Sequence, residues 1–239
     1  MLVARSMHPQ YLSNAYAIAD RVGGAALFVD SGSDLGPLVE AVEQWGVTPA
    51  AILRTHAHHD HVENEDDLRG RYGLEVVAEP GEWEWGDLHV RGVSTPGHSD
   101  DMVAFLVDGA VFTGDTLFKD AVGGGDPARV RASVMDVFMT LPDETRVLPG
   151  HTDETTIGRE RESNPFVRVW SGAEAEGTER IDVGGRPATL LVWSPDYDGK
   201  GKAWVRFDDG TDAIVGGSRV RRGHGRGGSP LGRGRGPRL

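Results

Sequence analysis

Residues 55–61 read Thr55-His56-Ala57-His58-His59-Asp60-His61 and follow the short apolar run Ala50 to Leu53, which has the length and composition of a strand. His56 and His58 are two apart. On an extended segment such residues point the same way, so both imidazoles can reach one ion. Asp60 and His61 come where the chain turns toward a helix, and they can aim at a second ion beside the first. Imidazole nitrogen and carboxylate oxygen together suit divalent metals of the zinc type. A single His-x-His is a weak signal, so the reading depends on what else the chain supplies.

Three further stretches join it. Thr95-Pro96-Gly97-His98-Ser99 puts a His in a Pro-Gly turn after a strand predicted over 87–93. Thr113-Gly114-Asp115 puts an Asp at the end of a strand predicted over 110–113. Pro149-Gly150-His151 repeats the Pro-Gly-His pattern after a strand over 146–148. The candidate ligands are thus His56, His58, Asp60, His61, His98, Asp115 and His151. His8, His59, His89 and His224 lack such settings and read as surface or supporting residues.

Outward from these motifs, strands are predicted over 15–18, 25–29, 50–53, 75–78, 87–93, 103–107, 110–113 and 146–148. Helices are predicted over 34–45, from an N-cap at Asn64 to Tyr72, and through Val130, Val134, Val137 and Leu141 on one face. Hairpins early and helices interleaved imply a layered α/β fold, sheets inside and helices outside. Residues 173–179 read as a linker. Beyond them, 180–183, 188–193, 202–207 and 212–215 read as short strands, with Asp209-Gly210 as a hairpin turn. The expected organisation is a catalytic domain over 1–172, a small β-rich appendage over 173–221, barrel or meander, that leans on it, and a Gly/Arg tail over 222–239. That tail should be disordered, since it has little to bury.

Composition narrows the function. Of 239 residues, 38% are hydrophobic and 26% charged, which suits a packed core. The formal charge is −12, yet Arg219 to Leu239 holds seven Arg and no acid, which leaves 18 basic against 37 acidic side chains in the rest. An acidic body argues against nucleic acid as the substrate, because phosphate binding needs clustered Lys and Arg. The RGG-like tail is the one weak candidate for RNA contact. With no Cys, disulfides, thiolate ligands and a Cys nucleophile are excluded. No apolar run is long enough for a membrane span, and Met1 to Pro9 lack the apolar core of a signal peptide. Cytoplasmic residence is the expectation. The oligomeric state is not legible.

In this order the motifs resemble the metallo-β-lactamase superfamily over roughly residues 12–172. The resemblance implies a four-layer αββα sandwich with the small C-terminal β-rich appendage added to it, and a site at one edge between the sheets. It also implies two divalent metal ions: His56, His58 and His98 on one, Asp60, His61 and His151 on the other, Asp115 bridging. Zinc is the expected metal; iron and manganese are compatible. Asp30, in Val29-Asp30-Ser31-Gly32, would support the site from behind.

Within the superfamily the chain is most similar to the glyoxalase II-like group, including Gly114-Asp115-Thr116-Leu117-Phe118. That similarity implies hydrolysis of a thioester of a small thiol. A metal lowers the pKa of bound water from 15.7 to about 7, which makes hydroxide available at neutral pH. Asp60 could also accept the water's proton. The groups that grip glutathione in that family are absent: Gly124 stands where a basic residue is expected, and Asp126 and Asp153 stand where tyrosines are. The expectation is therefore a thioester or ester of another small thiol or acid, with Lys119 or Arg129 as possible anion contacts and Gly123-Gly124-Gly125 as either a flexing loop or a turn. Three alternatives stay open. One is a persulfide dioxygenase with a single iron on His56, His98 and Asp115. The others are a lactonase and a non-catalytic binding protein acting through residues 173–239.

Overall fold

The computed structural model describes residues 1–222. Its first sheet runs β1 (Leu2–Met7), β2 (Asn14–Ala19), β3 (Ala25–Val29), β4 (Thr48–Leu53) and β5 (Glu75–Val77), in that spatial order. β1 to β3 pair antiparallel, whereas β3, β4 and β5 are parallel. The second sheet contains β6 (Gly81–Trp85), β7 (Leu88–Ser94), β8 (Val103–Val107) and β9 (Ala110–Gly114). After the short ribbon β10 (Leu117–Phe118) and β11 (Ala121–Val122) it adds β12 (Arg146–Pro149) and β13 (Thr155–Thr156), in the order β13-β12-β9-β8-β7-β6.

Strand alternation explains the layering. All six residues of β2 are buried. Tyr16 and Ile18 face the second sheet, where they meet Phe105, Phe112 and Leu148, whereas Ala15, Ala17 and Ala19 face the opposite way. There the helices Gly36–Trp45 and Glu65–Tyr72 bring Leu38, Val42 and Leu68 onto Phe28 and Ile52. A strand buried on both faces reads as one continuous apolar run, as β3 does, and as β2 does after Asn14 and β4 does in its second half. The outer face of the second sheet is covered by Val130, Val134, Phe138, Ile157, Phe166 and Val167 from a second helical layer. The architecture is the expected αββα sandwich.

Two local expectations need correction. The predicted helix carrying Val130, Val134, Val137 and Leu141 is three pieces: α-helical Pro127–Ala132, π-helical Ser133–Val137 and a 3-10 turn Phe138–Thr140. The wider π turn moves the buried face on by one residue, so Phe138 is buried whereas Val137 and Leu141 are only partly so. Asn64 does stand before the helix Glu65–Tyr72, but its side chain caps nothing; Nδ2 donates to the Ser33 carbonyl at 2.9 Å.

Helices Ile157–Ser163 and Pro165–Trp170 escape sequence reading. The first is polar and the second spans barely two turns; each begins at a side-chain cap, Thr156 and Asn164. β1 and β6 also escape it.

The C-terminal strands are β14 (Glu179–Val183), β15 (Arg186–Ser194), β16 (Lys202–Phe207), β17 (Asp212–Gly216) and β18 (Val220–Arg222). They form an antiparallel meander whose last strand returns to β14, in the order β17-β16-β15-β14-β18. β17 and β18 do not pair, so the sheet curves without closing. One face forms a small core of Ile181, Val183, Leu190, Val205 and Val215. The other packs Leu191, Val192, Trp204 and Ile214 onto the second helical layer. A register shift between Leu190 and Val192 lets two consecutive residues, Leu191 and Val192, serve that layer. The expected tail boundary at 222 falls inside β18, where Arg222 pairs with Ile181; residues 223–239 lie outside the described residues.

Candidate metal centre

All seven candidate ligands lie at the same edge of the sandwich, on loops that leave strand ends. His56 and His58 follow β4, His98 follows β7, Asp115 follows β9 and His151 follows β12. Asp60 and His61 lie in the short helix His59–Val62. Strand ends are rigid, and the loops that leave them are free to present polar groups.

Three nitrogens converge on one side. His58 Nδ1 lies 3.1 Å from His56 Nε2 and 2.9 Å from His98 Nε2. On the other side His151 Nε2 lies 3.4 Å from Asp60 Oδ2, and His61 Nε2 lies 3.7 Å from the same oxygen. Asp115 sits between the two groups: Oδ1 is 3.3 Å from His61 Nε2, and Oδ2 is 3.6 Å from His98 Nε2 and 3.4 Å from His151 Nε2. Ligand atoms of His56, His58 and His98, and those of Asp60, His61 and His151, fall into two compact groups; a third group joins His56, His61 and Asp115.

The remaining ring nitrogens are held from behind. His56 Nδ1 lies 3.1 Å from Thr55 Oγ1, which donates to Asp30 Oδ2 at 2.8 Å. His61 Nδ1 lies 2.9 Å from Asp30 Oδ2, His98 Nδ1 2.8 Å from the Gly124 carbonyl and His151 Nδ1 3.0 Å from the Leu12 carbonyl. Nδ1 of each of these four rings thus has an oxygen partner behind it, which leaves Nε2 facing the centre. Asp101, which sequence reading missed, ties the His56 and His98 loops together. It accepts from Ala57 N at 2.9 Å and from Ser99 Oγ at 2.6 Å.

The donor set fits a cation. His61 Nε2 and Asp115 Oδ1 are buried without a hydrogen-bond partner, a costly state unless something else occupies the space between the groups. Electrostatics point the same way. Burial disfavours the charged form of His61, yet Asp115 and Asp30 on its two sides raise its pKa well above the ordinary value. His151 is likewise opposed by burial and raised to about 9 by Asp115 and Asp60. Burial, helped by the charge of His61, lowers His56 to about 4. Asp115 is raised by burial but pulled well below the ordinary range by His151 and His61. The carboxylates of Asp115, Asp60 and Asp30 thus favour positive charge on the His61 and His151 side of the centre.

The triple glycine packs close against the centre. A methyl group on Gly123 would collide with the Asp115 carbonyl, so this backbone packs directly against the ligand loop. Gly150 is similarly confined by Asp115 Oδ1 and the His61 ring.

One residue at the centre comes from outside the sandwich. The Tyr197 ring stacks on the His151 ring, centroids 4.0 Å apart and planes inclined by 11°. No motif signals it: Asp196-Tyr197-Asp198-Gly199 reads as a polar turn between two strands.

No family model matches the chain. It is 30% identical over 200 residues to the "Probable metallo-hydrolase YqgX" of Bacillus subtilis (strain 168), a match that covers 66% of this chain and 94% of that protein. It is 34% identical over 202 residues to a hydroxyacylglutathione hydrolase of Acidiphilium cryptum (strain JF-5), covering 76% and 82% of the two. Among solved structures, the BLEG-1 B3 metallo-β-lactamase superposes with a TM-score of 0.64 at 26% identity, over 70% of this chain and 99% of that one. Among the described residues no helix is long and apolar enough to cross a membrane.

Proposed function

The chain belongs to the metallo-β-lactamase superfamily, and from that premise we propose that this metal-dependent hydrolase cleaves a thioester, or a related ester, of a small thiol or acid with two divalent metal ions. What supports two ions is the pairing of ligands around Asp115, with His61 Nε2 and Asp115 Oδ1 buried and unpaired between the groups. His56, His58 and His98 would hold one ion, Asp60, His61 and His151 the other, and Asp115 both. All-nitrogen and mixed nitrogen–oxygen sets favour zinc, with iron and manganese compatible. When bound, such ions supply an acidified water and positive charge for a developing oxyanion.

The chain's own residues would do the rest. Asp60 is half-buried and stays ionised: burial raises its pKa, but the bond to His151 and the charge on His61 outweigh that. It can therefore accept a proton from an attacking water while it binds metal. A thiolate leaving group, with a parent pKa near 8.5, needs little acid assistance.

The relative named as a hydroxyacylglutathione hydrolase supports a thioester; the loop chemistry supports a thiol other than glutathione. Gly124 uses its carbonyl to hold His98, Asp126 caps the helix Pro127–Ala132, and Asp153 pairs with Arg5 at 3.2 Å. Elemental analysis paired with a panel of thioesters, esters and lactones, with and without chelator, tests the reading. Two zinc per chain and chelator-sensitive thioester cleavage are expected. One iron with oxygen consumption on a persulfide overturns it; so does lactone cleavage alone.

A further inference from the structure

The Pro195–Gly201 loop joins β15 to β16 and reaches the metal centre from the C-terminal sheet. Besides the stack on His151, the Tyr197 ring meets Phe118 edge-on, with centroids 6.0 Å apart at 89°. The loop is clamped. Asp196 Oδ2 and Lys202 Nζ form an ion pair at 2.9 Å, their side chains only 3% and 9% exposed. Breaking such a pair leaves a buried charge unmatched, which fixes the loop's course. The sheet beneath is anchored by Trp204 and Ile214. Tyr197 is therefore a held side chain.

Beside it lies a cleft of ≈ 410 Å³, within the size range of small-molecule sites, lined among others by Met7, Leu12, Lys119, Asp153 and Tyr197. Two of its walls touch His151: Leu12 through its carbonyl and Tyr197 through its ring. The cleft therefore abuts the centre. Its carboxylates are already matched, Asp120 by Arg159 at 2.9 Å, Asp153 by Arg5 at 3.2 Å and Asp196 by Lys202. Lys119 is half-buried and has no acidic partner within 4.0 Å among the described residues.

We propose that the C-terminal sheet completes the substrate site. Tyr197 walls a cleft that receives the substrate's substituent, and Lys119 gives that cleft a preference for a substituent carrying a negative charge. This rests on the hydrolase reading above. The Tyr197 phenol carries an O–H that can donate a hydrogen bond to a substrate oxygen.

The test uses zinc-loaded full-length protein and two thioesters of N-acetylcysteamine, one succinyl (anionic) and one butyryl (neutral). Wild type should show the lower KM for the succinyl ester. Lys119→Met should raise that KM by about tenfold, the worth of one charged hydrogen bond, and leave kcat and the butyryl KM nearly unchanged. Tyr197→Ala should raise KM for both, whereas Tyr197→Phe, which keeps the stack, should raise it less; zinc content and melting temperature check that each variant folds. Binding of glutarate, followed by ligand-observed NMR, gives a readout independent of turnover and should weaken in Lys119→Met. If wild type cleaves neither thioester, the thioester reading falls and the glutarate titration alone decides the cleft. Equal KM values that Lys119→Met does not change, glutarate binding insensitive to that substitution, or an unaltered KM in Tyr197→Ala overturns the proposal.

Discussion

Asp115 Oδ1 and His61 Nε2 face each other across 3.3 Å, both buried and neither hydrogen-bonded. The other Asp115 oxygen approaches His98 and His151, so this one carboxylate touches both halves of the centre. Asp115→Ala should abolish hydrolysis, since both ions would lose a shared ligand. Supporting residues of metal sites already cost about 10- to 100-fold when removed, and this loss should exceed that range. Full-rate turnover by a zinc-replete variant would refute the two-metal mechanism.

Metal loading should release protons. Metal binds neutral imidazole, whereas the neighbouring carboxylates push His151 up to about 9 and His61 well above its ordinary value. At neutral pH a cation must displace those protons, so zinc affinity should rise as pH is raised toward 9 and fall on acidification. Calorimetric titration in two buffers of different ionisation enthalpy measures the release directly. Heats that do not depend on the buffer would contradict it.

Asp30 carries three bonds, from Thr55 N, Thr55 Oγ1 and His61 Nδ1, all within 2.8–2.9 Å. Asp30→Asn should keep the shape but weaken the hold on His61 and, through Thr55, on His56. Zinc affinity should drop by about 10- to 100-fold, as read from competition with a chromogenic chelator.

Two glycines should respond oppositely to alanine. At Gly150 an added methyl meets Asp115 Oδ1 and the His61 ring, so Gly150→Ala should cost about 1–3 kcal/mol and most of the bound metal. Gly70, in the helix Glu65–Tyr72, has nothing within 4 Å of the added carbon. Gly70→Ala should stabilise by about 0.5–1 kcal/mol in chemical denaturation.

Removing residues 223–239 should leave turnover unchanged, because the Gly- and Arg-rich composition of that segment points away from the acidic, metal-ligating chemistry of the body. A large loss, or RNA capture that disappears with the segment, would favour a binding role for the tail.

Much of this protein is legible in its sequence. A layered α/β fold, sheets inside and helices outside, follows from apolar strand runs and helical spacing, because burial on one or both faces sets the pattern of each element locally; the four-layer αββα order is what the family resemblance implied. The seven candidate ligands were nameable for a related reason: His, Asp and Gly cluster where strands end, and the Pro-Gly turns that present them are short-range features. What tertiary structure alone decided is which groups meet. The Leu12 and Gly124 carbonyls that orient His151 and His98 come from backbone, which no residue type announces. The π turn that replaced Val137 by Phe138 in the core is a packing choice. Tyr197 lies 46 residues beyond His151 on a separate sheet. It reaches the centre because Trp204 and Ile214 seat that sheet on the helices and Lys202 pins the loop, long-range contacts whose energy exists only once the chain has folded.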